Sequence, residues 1–250
     1  MKTLLFSCLS LIFLHSNAQD KNQFFALDAN MNQTVLDSSK YLLWVHEKED
    51  GNWQWDYYQT WGPLIKSQNF ADHDGTILNG RSSIYNKSGN LDSTGIYDHG
   101  KKQGSFYKCR SYTGDSLKFV KEYVYDQDSV LKTIDLLADS INEKEKDTIH
   151  NKESEYTGGK EQWIKYLKKN LRYPERAVSH EIQGHVRIVF TVNKEGDVLN
   201  PYIEKSREYS LDLEALRIIN HSGKWVPGIR DGEISSTYKI QLVNYRLETQ

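Results

Sequence analysis

The chain has 250 residues, a formal net charge of −2 and 26% charged residues. That length allows one or two domains. The near balance of 32 Lys+Arg against 34 Asp+Glu gives no electrostatic footprint for nucleic acid.

Residues 1–18 read as a secretory signal peptide. Lys2 supplies the positive start, Leu4 to Leu14 the apolar core, and Ser16-Asn17-Ala18 a small-residue cleavage site before Gln19. The apolar run of about eleven residues is shorter than the ~20 that span a bilayer as a helix, so cleavage is expected rather than retention as an anchor. Cys8 follows Leu5-Phe6-Ser7, a lipobox look-alike placed too early for lipidation. Cleavage leaves Cys109 alone, so no internal disulfide is expected. Nothing around it argues for a reactive thiol.

Residues 19–131 form a mainly-β, aromatic-rich region. Tyr41–His46 and Trp53–Trp61 flank Glu49-Asp50-Gly51-Asn52, a hairpin signal. Trp53, Trp55, Tyr57 and Trp61 are placed on one strand face. That face is a platform for sugar or peptide, or a core face, and the core reading is preferred because aromatics dominate cores. From Gly80 a weak repeat follows. Tyr85-x-x-x-Gly89-x-Leu91 leads to Gly95-x-Tyr97-x-x-Gly100-x-x-x-Gly104-x-Phe106-Tyr107, then to Tyr112-x-Gly114-x-x-Leu117 and Tyr123-x-Tyr125. Short aromatic strands divided by glycine turns imply successive hairpins. The pattern resembles MORN-type repeat variants, which implies a scaffold or docking surface rather than catalysis. Residues 132–157, charged from Asn142 to Asp147, read as a solvated linker, with a partly helical one as the alternative.

Residues 158–250 read as a complete α+β module. Trp163, Ile164, Leu167 and Leu171 have helical spacing, predicting a helix over 160–171 after Gly158-Gly159. Pro174 suits the first turn of a second, short helix over 174–181. Val186, Ile188, Phe190 and Val192 alternate with His185, Arg187, Val189 and Thr191, a strand with one apolar face. Asn193 to Asp197 is turn chemistry in which Gly196 takes positive φ. A strand over 198–206 contains Pro201, which suits an edge. Ser210 is the expected cap of the next helix, whose stripe is Leu211, Ala215, Ile218 and Ile219. The last strand alternates Tyr238, Ile240, Leu242, then shifts phase to Val243, Tyr245, Leu247. That shift predicts a bulge or a departure from the sheet. The expected fold class is α+β: two main helices on a three-stranded antiparallel sheet, preceded by the mainly-β region. Such a sheet leaves at least one long edge.

Signals for chemistry are weak. His180-Glu181-Ile182-Gln183-Gly184-His185 places its histidines five apart, whereas a helical zinc pair needs four. Asp72-His73-Asp74-Gly75 reads as a turn. No nucleophile elbow or phosphate loop occurs. The expectations are no catalytic residue, no metal and no cofactor, and nothing makes a positive case for an enzyme.

The C-terminal landmarks, taken in order, resemble the TonB family. They are Tyr173-Pro174, Ala177, Ile182-x-Gly184-x-Val186, Phe190-x-Val192, Gly196, Leu211-x-x-Glu214-Ala215, Trp225-x-Pro227-Gly228 and Gly232, followed by an alternating strand. The resemblance covers about ninety residues, the TonB C-terminal domain. It implies a periplasmic protein, inner-membrane-anchored if the signal is retained, that serves TonB-dependent energy transduction. It also implies an outer-membrane receptor peptide (a TonB-box-like segment) added to the last strand by β-augmentation. The docking edge would be about 234–245, with Ser236, Tyr238, Ile240 and Leu242, and with Asn170, Leu171, Arg172, Tyr173 and Pro174 beside the peptide. A homodimer is a further expected partner, because an exposed sheet edge pairs readily. With only four prolines the chain lacks the long Pro-rich rod of that family, and a flexible stretch of ~25 residues averages about 25–30 Å. Binding like TonB, without transduction by the chain alone, is the expectation. The alternative is a structural or regulatory adaptor built on the repeat region.

Overall fold

A computed structural model describes residues 21–113, 116–136 and 151–247. The expected signal peptide and residues 137–150 of the expected linker lie outside these.

The first half is one antiparallel sheet whose nine strands follow each other in chain order. They are β1 (Asn22–Leu27), β2 (Tyr41–Glu47), β3 (Trp53–Gln59), β4 (Leu64–Phe70), β5 (Leu78–Tyr85), β6 (Leu91–Asp98), β7 (Lys101–Thr113), β8 (Ser116–Asp126) and β9 (Ser129–Asp135). Tight turns set this order. His99-Gly100 and Gln127-Asp128 both carry positive φ at two successive residues, the backbone of a two-residue hairpin turn. The stretch read as a linker is therefore paired at its start, since β9 runs to Asp135. It is also paired at its end, where Lys152 bridges Ile229 and β10 (Glu155–Tyr156) pairs with β13 (Trp225–Val226).

The sheet has two apolar faces. The back face packs Leu27, Leu43, Val45 and Trp53 with Phe25, Trp55 and Tyr57. Trp53 and Trp55 thus belong to a core, not to an open platform. Trp61 lies beyond β3 in the turn to β4 and stacks on His180 at 3.6 Å. The Asp72 loop is a turn: the Asp72 carboxylate accepts from Thr76 N at 2.9 Å and Ile77 N at 2.8 Å. The front face contributes Leu42, Tyr58, Leu64, Tyr85, Leu91 and Cys109 to a core shared with the second half of the chain.

The second half holds α1 (Gly159–Asn170), α2 (Glu175–Ser179), β11 (Gly184–Val192), β12 (Val198–Lys205) and α3 (Tyr209–Asn220). A hairpin of β14 (Gly228–Arg230) and β15 (Glu233–Ser235) follows β13 and leads to β16 (Thr237–Tyr245). The sheet order is β12-β11-β16, antiparallel. Val186, Ile188, Phe190 and Val192 all face the helices and are buried. On α3 the stripe Leu211, Ala215, Ile218 and Ile219 meets them. Two expectations fail here. Ile164 is exposed, and α1 packs through Trp163, Tyr166 and Leu167. The cap of α3 is Glu208, not Ser210: its backbone is extended and its carboxylate accepts from Ser210 N at 2.8 Å.

Gly196 has φ +85°, and a Cβ there would lie 2.3 Å from the Trp225 carbonyl oxygen. Only glycine allows both that turn and that approach.

Candidate functional site

β16 is an edge strand whose only ladder partner among the described residues is β11. Its register with β11 is unbroken from Thr237↔Val192 to Tyr245↔Gly184. The expected bulge is absent. The phase change in the sequence has another cause: β16 is apolar on different faces at its two ends. Tyr238, Ile240 and Leu242 point to the outer face, away from the helices, while Val243 and Tyr245 point into the core. The expected docking edge of about 234–245 is also interrupted. Ile234 pairs with Ile229 in the separate β14–β15 hairpin, and exposed Ser236 joins the two strands.

The segment 170–174 connects α1 to α2 and reaches the far end of β16. Tyr173 lies 5.6 Å from Tyr245, edge to face, and its hydroxyl donates to Ile182 O at 2.8 Å. Leu171 N donates to Leu167 O at 2.8 Å and closes α1. Arg172 N donates to Glu214 Oε1 at 2.7 Å, and Asn170 O accepts from Arg217 Nη2 at 2.7 Å. Pro174 is the N-cap of α2. Asn170 and Arg172 are thus tied to α3 and Leu171 to α1 through backbone groups, while Tyr173 is held through its side chain by Ile182 and Tyr245. The expected site residues form two groups, Tyr173 at the Tyr245 end of β16 and Tyr238 with Ile240 toward its start.

The opposite edge, β12, is blunted. Pro201 has no N–H to donate. Farther along the strand, the β5–β6 turn docks on it. Asn90 bridges Lys205, Ser206 N donates to Gly89 O at 2.8 Å, and Tyr85 OH donates to Ile203 O at 2.7 Å. A Cβ on Gly89 would sit 2.3 Å from Ser206 O. The β3–β4 turn docks on α2 in the same way. The Arg176 guanidinium lies 4.0 Å over the Trp61 ring, donates to Thr60 O and pairs with Glu208 Oε1 at 2.6 Å. Sequence patterning gave no sign of this docking, because Gly89 read as an ordinary turn glycine and Trp61 as one more residue of the aromatic strand face.

At the centre of that contact lies Asp212, fully buried in the first turn of α3. It accepts from Ser206 Oγ at 2.5 Å and Arg207 N at 3.0 Å, and Ser206 Oγ in turn accepts from Leu64 N at 2.7 Å. Burial, with the Glu208 carboxylate nearby, pushes its pKa up to about 8. The folded state therefore holds this proton more tightly than the unfolded chain. Its stabilisation is full below the ordinary carboxylate pKa and is lost as pH rises toward 8. Urea denaturation across pH 5–8 is expected to show stability falling by up to about 1.4 kcal/mol per pH unit. Asp212→Asn flattens that slope. An unchanged slope in the variant would place the titration elsewhere.

Among the described residues no group of three or more His, Cys, Asp or Glu could hold a metal ion. Burial pushes the Cys109 thiol up to about 12, away from reactivity.

Residues 169–247 match the family model described as Gram-negative bacterial TonB protein C-terminal. This segment is a TonB C-terminal domain. The match begins at the end of α1 and runs through β16, so the open edge belongs to the TonB C-terminal domain, while the nine-stranded sheet lies before it. No curated protein and no solved structure matches the chain. Members of the TonB C-terminal family are energy transducers and binding proteins, and a TonB-like role in energy transduction involving outer-membrane receptors follows at that level. Among the described residues no helix is long and apolar enough to cross a membrane.

Proposed function

We propose that this chain is a periplasmic TonB-like protein that binds extended, TonB-box-like segments of outer-membrane receptors by adding them to β16. The reading rests on one observation above the rest: within a TonB C-terminal domain, the outer edge of β16 has no strand beside it among the described residues. Main-chain hydrogen bonds along the edge supply affinity, and alternate side chains supply selectivity. Tyr238, Ile240 and Leu242 line the docked strand on one side, and Ser236 lies at its entry. Asn170, Leu171, Arg172, Tyr173 and Pro174 act at the Tyr245 end as a fixed shoulder. No catalytic residue, metal or cofactor is part of this function.

A second reading treats the chain as a structural or regulatory adaptor. The nine-stranded sheet, with its MORN-like hairpins, would be the working surface, and the β16 edge would pair with a second copy. The extent of the N-terminal sheet and its docking on β12 favour it.

Ile240→Lys separates the two from a misfolded result. Residue 240 is half exposed, so stability should change by no more than about 0.5 kcal/mol. A lysine on an edge strand opposes strand addition. Fluorescence anisotropy with ten-residue peptides from receptor N-termini should show binding to the parent chain and at least about tenfold loss in the variant. Failure of every such peptide to bind the parent, with a concentration-dependent dimer abolished by Ile240→Lys, would favour the adaptor.

A further inference from the structure

The helix α1 carries a second surface besides the one it buries. Trp163 and Leu167 join the core. Gln162, Lys165, Tyr166 and Lys169 follow at i, i+3, i+4 and i+7, so they share one face of the helix. That face is one wall of an open cleft of about 550 Å³, completed by Tyr156 of β10 and by Ser222 and Lys224 after α3. The volume is in the range of small-molecule sites.

Hydrogen bonds fix the shape of this cleft. The Tyr166 hydroxyl donates to Ile218 O at 2.9 Å and ties α1 to α3. The Thr157 hydroxyl donates to Lys224 O at 2.6 Å and ties the end of β10 to the loop after α3. The rings of Tyr156 and Tyr166 lie 5.6 Å apart, tilted by 37°. Both rest on Trp163, at 5.1 and 5.4 Å, so their positions are set from behind.

Charge in the cleft is of one sign. Three lysines line it and no carboxylate does, although the chain as a whole holds more acids than bases. Lys165 and Lys169 are one turn apart, a like-charge spacing that costs stability. Among the described residues neither has an ion pair to relieve it. Lys224 pairs with Asp197 at 2.6 Å, but both side chains are exposed, and such a pair is worth little. An anion in the cleft would lift this repulsion.

The rim says which kind of anion. Lys224 O, Ile218 O and Tyr166 O each accept a hydrogen bond from within the protein. The cleft therefore presents no open ladder of the sort that holds an extended peptide. Ring surface and ammonium charge remain for a guest. A sugar acid uses both, its C–H face lying on an aromatic body and its carboxylate meeting an ammonium.

We propose that this cleft binds an acidic saccharide, with sugar rings against Tyr156 and Tyr166 and carboxylates at Lys165 and Lys169. The site shares only Asn170 with the β16 groove and does not depend on that reading. It gives the protein a partner that is not a polypeptide.

Fluorescence anisotropy of the full chain at about 0.15 M salt tests this with three labelled hexamers. They are hexagalacturonate, neutral maltohexaose, and hexaglutamate, which matches the first in charge. Hexagalacturonate should bind at least about tenfold more tightly than either of the others. Lys165→Gln with Lys169→Gln should weaken it about five- to tenfold, the loss of two exposed charge contacts. Both side chains are exposed, so the urea midpoint should not fall. Lys87→Gln with Lys101→Gln removes the same charge from exposed positions in the N-terminal half and should leave binding unchanged. Equal binding of hexaglutamate would mean an acidic-peptide site and overturn the saccharide. Equal loss in the Lys87 and Lys101 variant would mean attraction by bulk charge and overturn the cleft. No binding of hexagalacturonate overturns both.

Discussion

Glu204→Ala should destabilise the protein by about 3–5 kcal/mol, because it leaves the Arg187 guanidinium buried without its carboxylate. The pair is closed by an Arg187 Nε to Glu204 Oε2 hydrogen bond, sits between the two sheets and is almost wholly out of water. Burial holds the Glu204 carboxyl above the ordinary carboxylate range even with Arg187 beside it. Taking both charges out of water costs about as much as their attraction returns. The double substitution Arg187→Met with Glu204→Leu is therefore expected to recover most of the loss, and it serves as the control. Urea denaturation of the three proteins measures this. A single-variant loss below about 1 kcal/mol would mean a solvated pair, and with it that the sheets do not close over this face.

Trp225→Ala carries the second large effect, about 3–5 kcal/mol. Trp225 is buried where three separate parts of the chain meet. Its ring lies 5.0 Å from Phe190 on β11, 5.5 Å from Trp163 on α1 and 5.4 Å from Tyr156 on β10. Its indole N–H donates to Ser222 Oγ at 2.8 Å, and its backbone N donates to Gly196 O at 2.9 Å. The loss should be regional as well as global. Hydrogen exchange in β10 and α1 should rise more than in α3, since Trp225 is their shared anchor. Uniform acceleration across the domain would contradict that role.

Periodicity in the sequence placed the helices and the strands β11 and β12 to within a few residues, but it did not show β13 or the β14–β15 hairpin and began the last strand inside that hairpin. Phe190, Val192, Leu211 and Ala215 report their own burial through spacing, and Gly196 reports its turn. Where two readings shared one pattern, the choice failed. Trp163 and Ile164 were both read as part of one apolar stripe, but only the Trp163 ring is buried. Ser210 is a better cap by type than Glu208, yet the chain enters α3 two residues earlier. Tyr238, Ile240 and Leu242 looked like a broken alternation because they are apolar without facing the core. The meeting of the two sheets was not legible. Arg187 and Glu204 have the composition of any solvated surface, and nothing local marks a charge that is covered by a strand a hundred residues away. The same holds for Asp212 and Gly89. Long-range packing decides their surroundings, and a one-dimensional pattern carries no trace of it.

The Gly89 turn seated on Ser206 has a consequence for assembly. A sheet that can accept a strand on either side can grow without limit, each new copy offering a fresh acceptor, which is the geometry of a filament. Here one side is stoppered by the protein's own hairpin and by Pro201. Any strand taken up at β16 ends the series, whether it comes from a receptor or from a second copy. The chain is built as a terminator: it can saturate at one guest or one twin, and it cannot polymerise through this sheet.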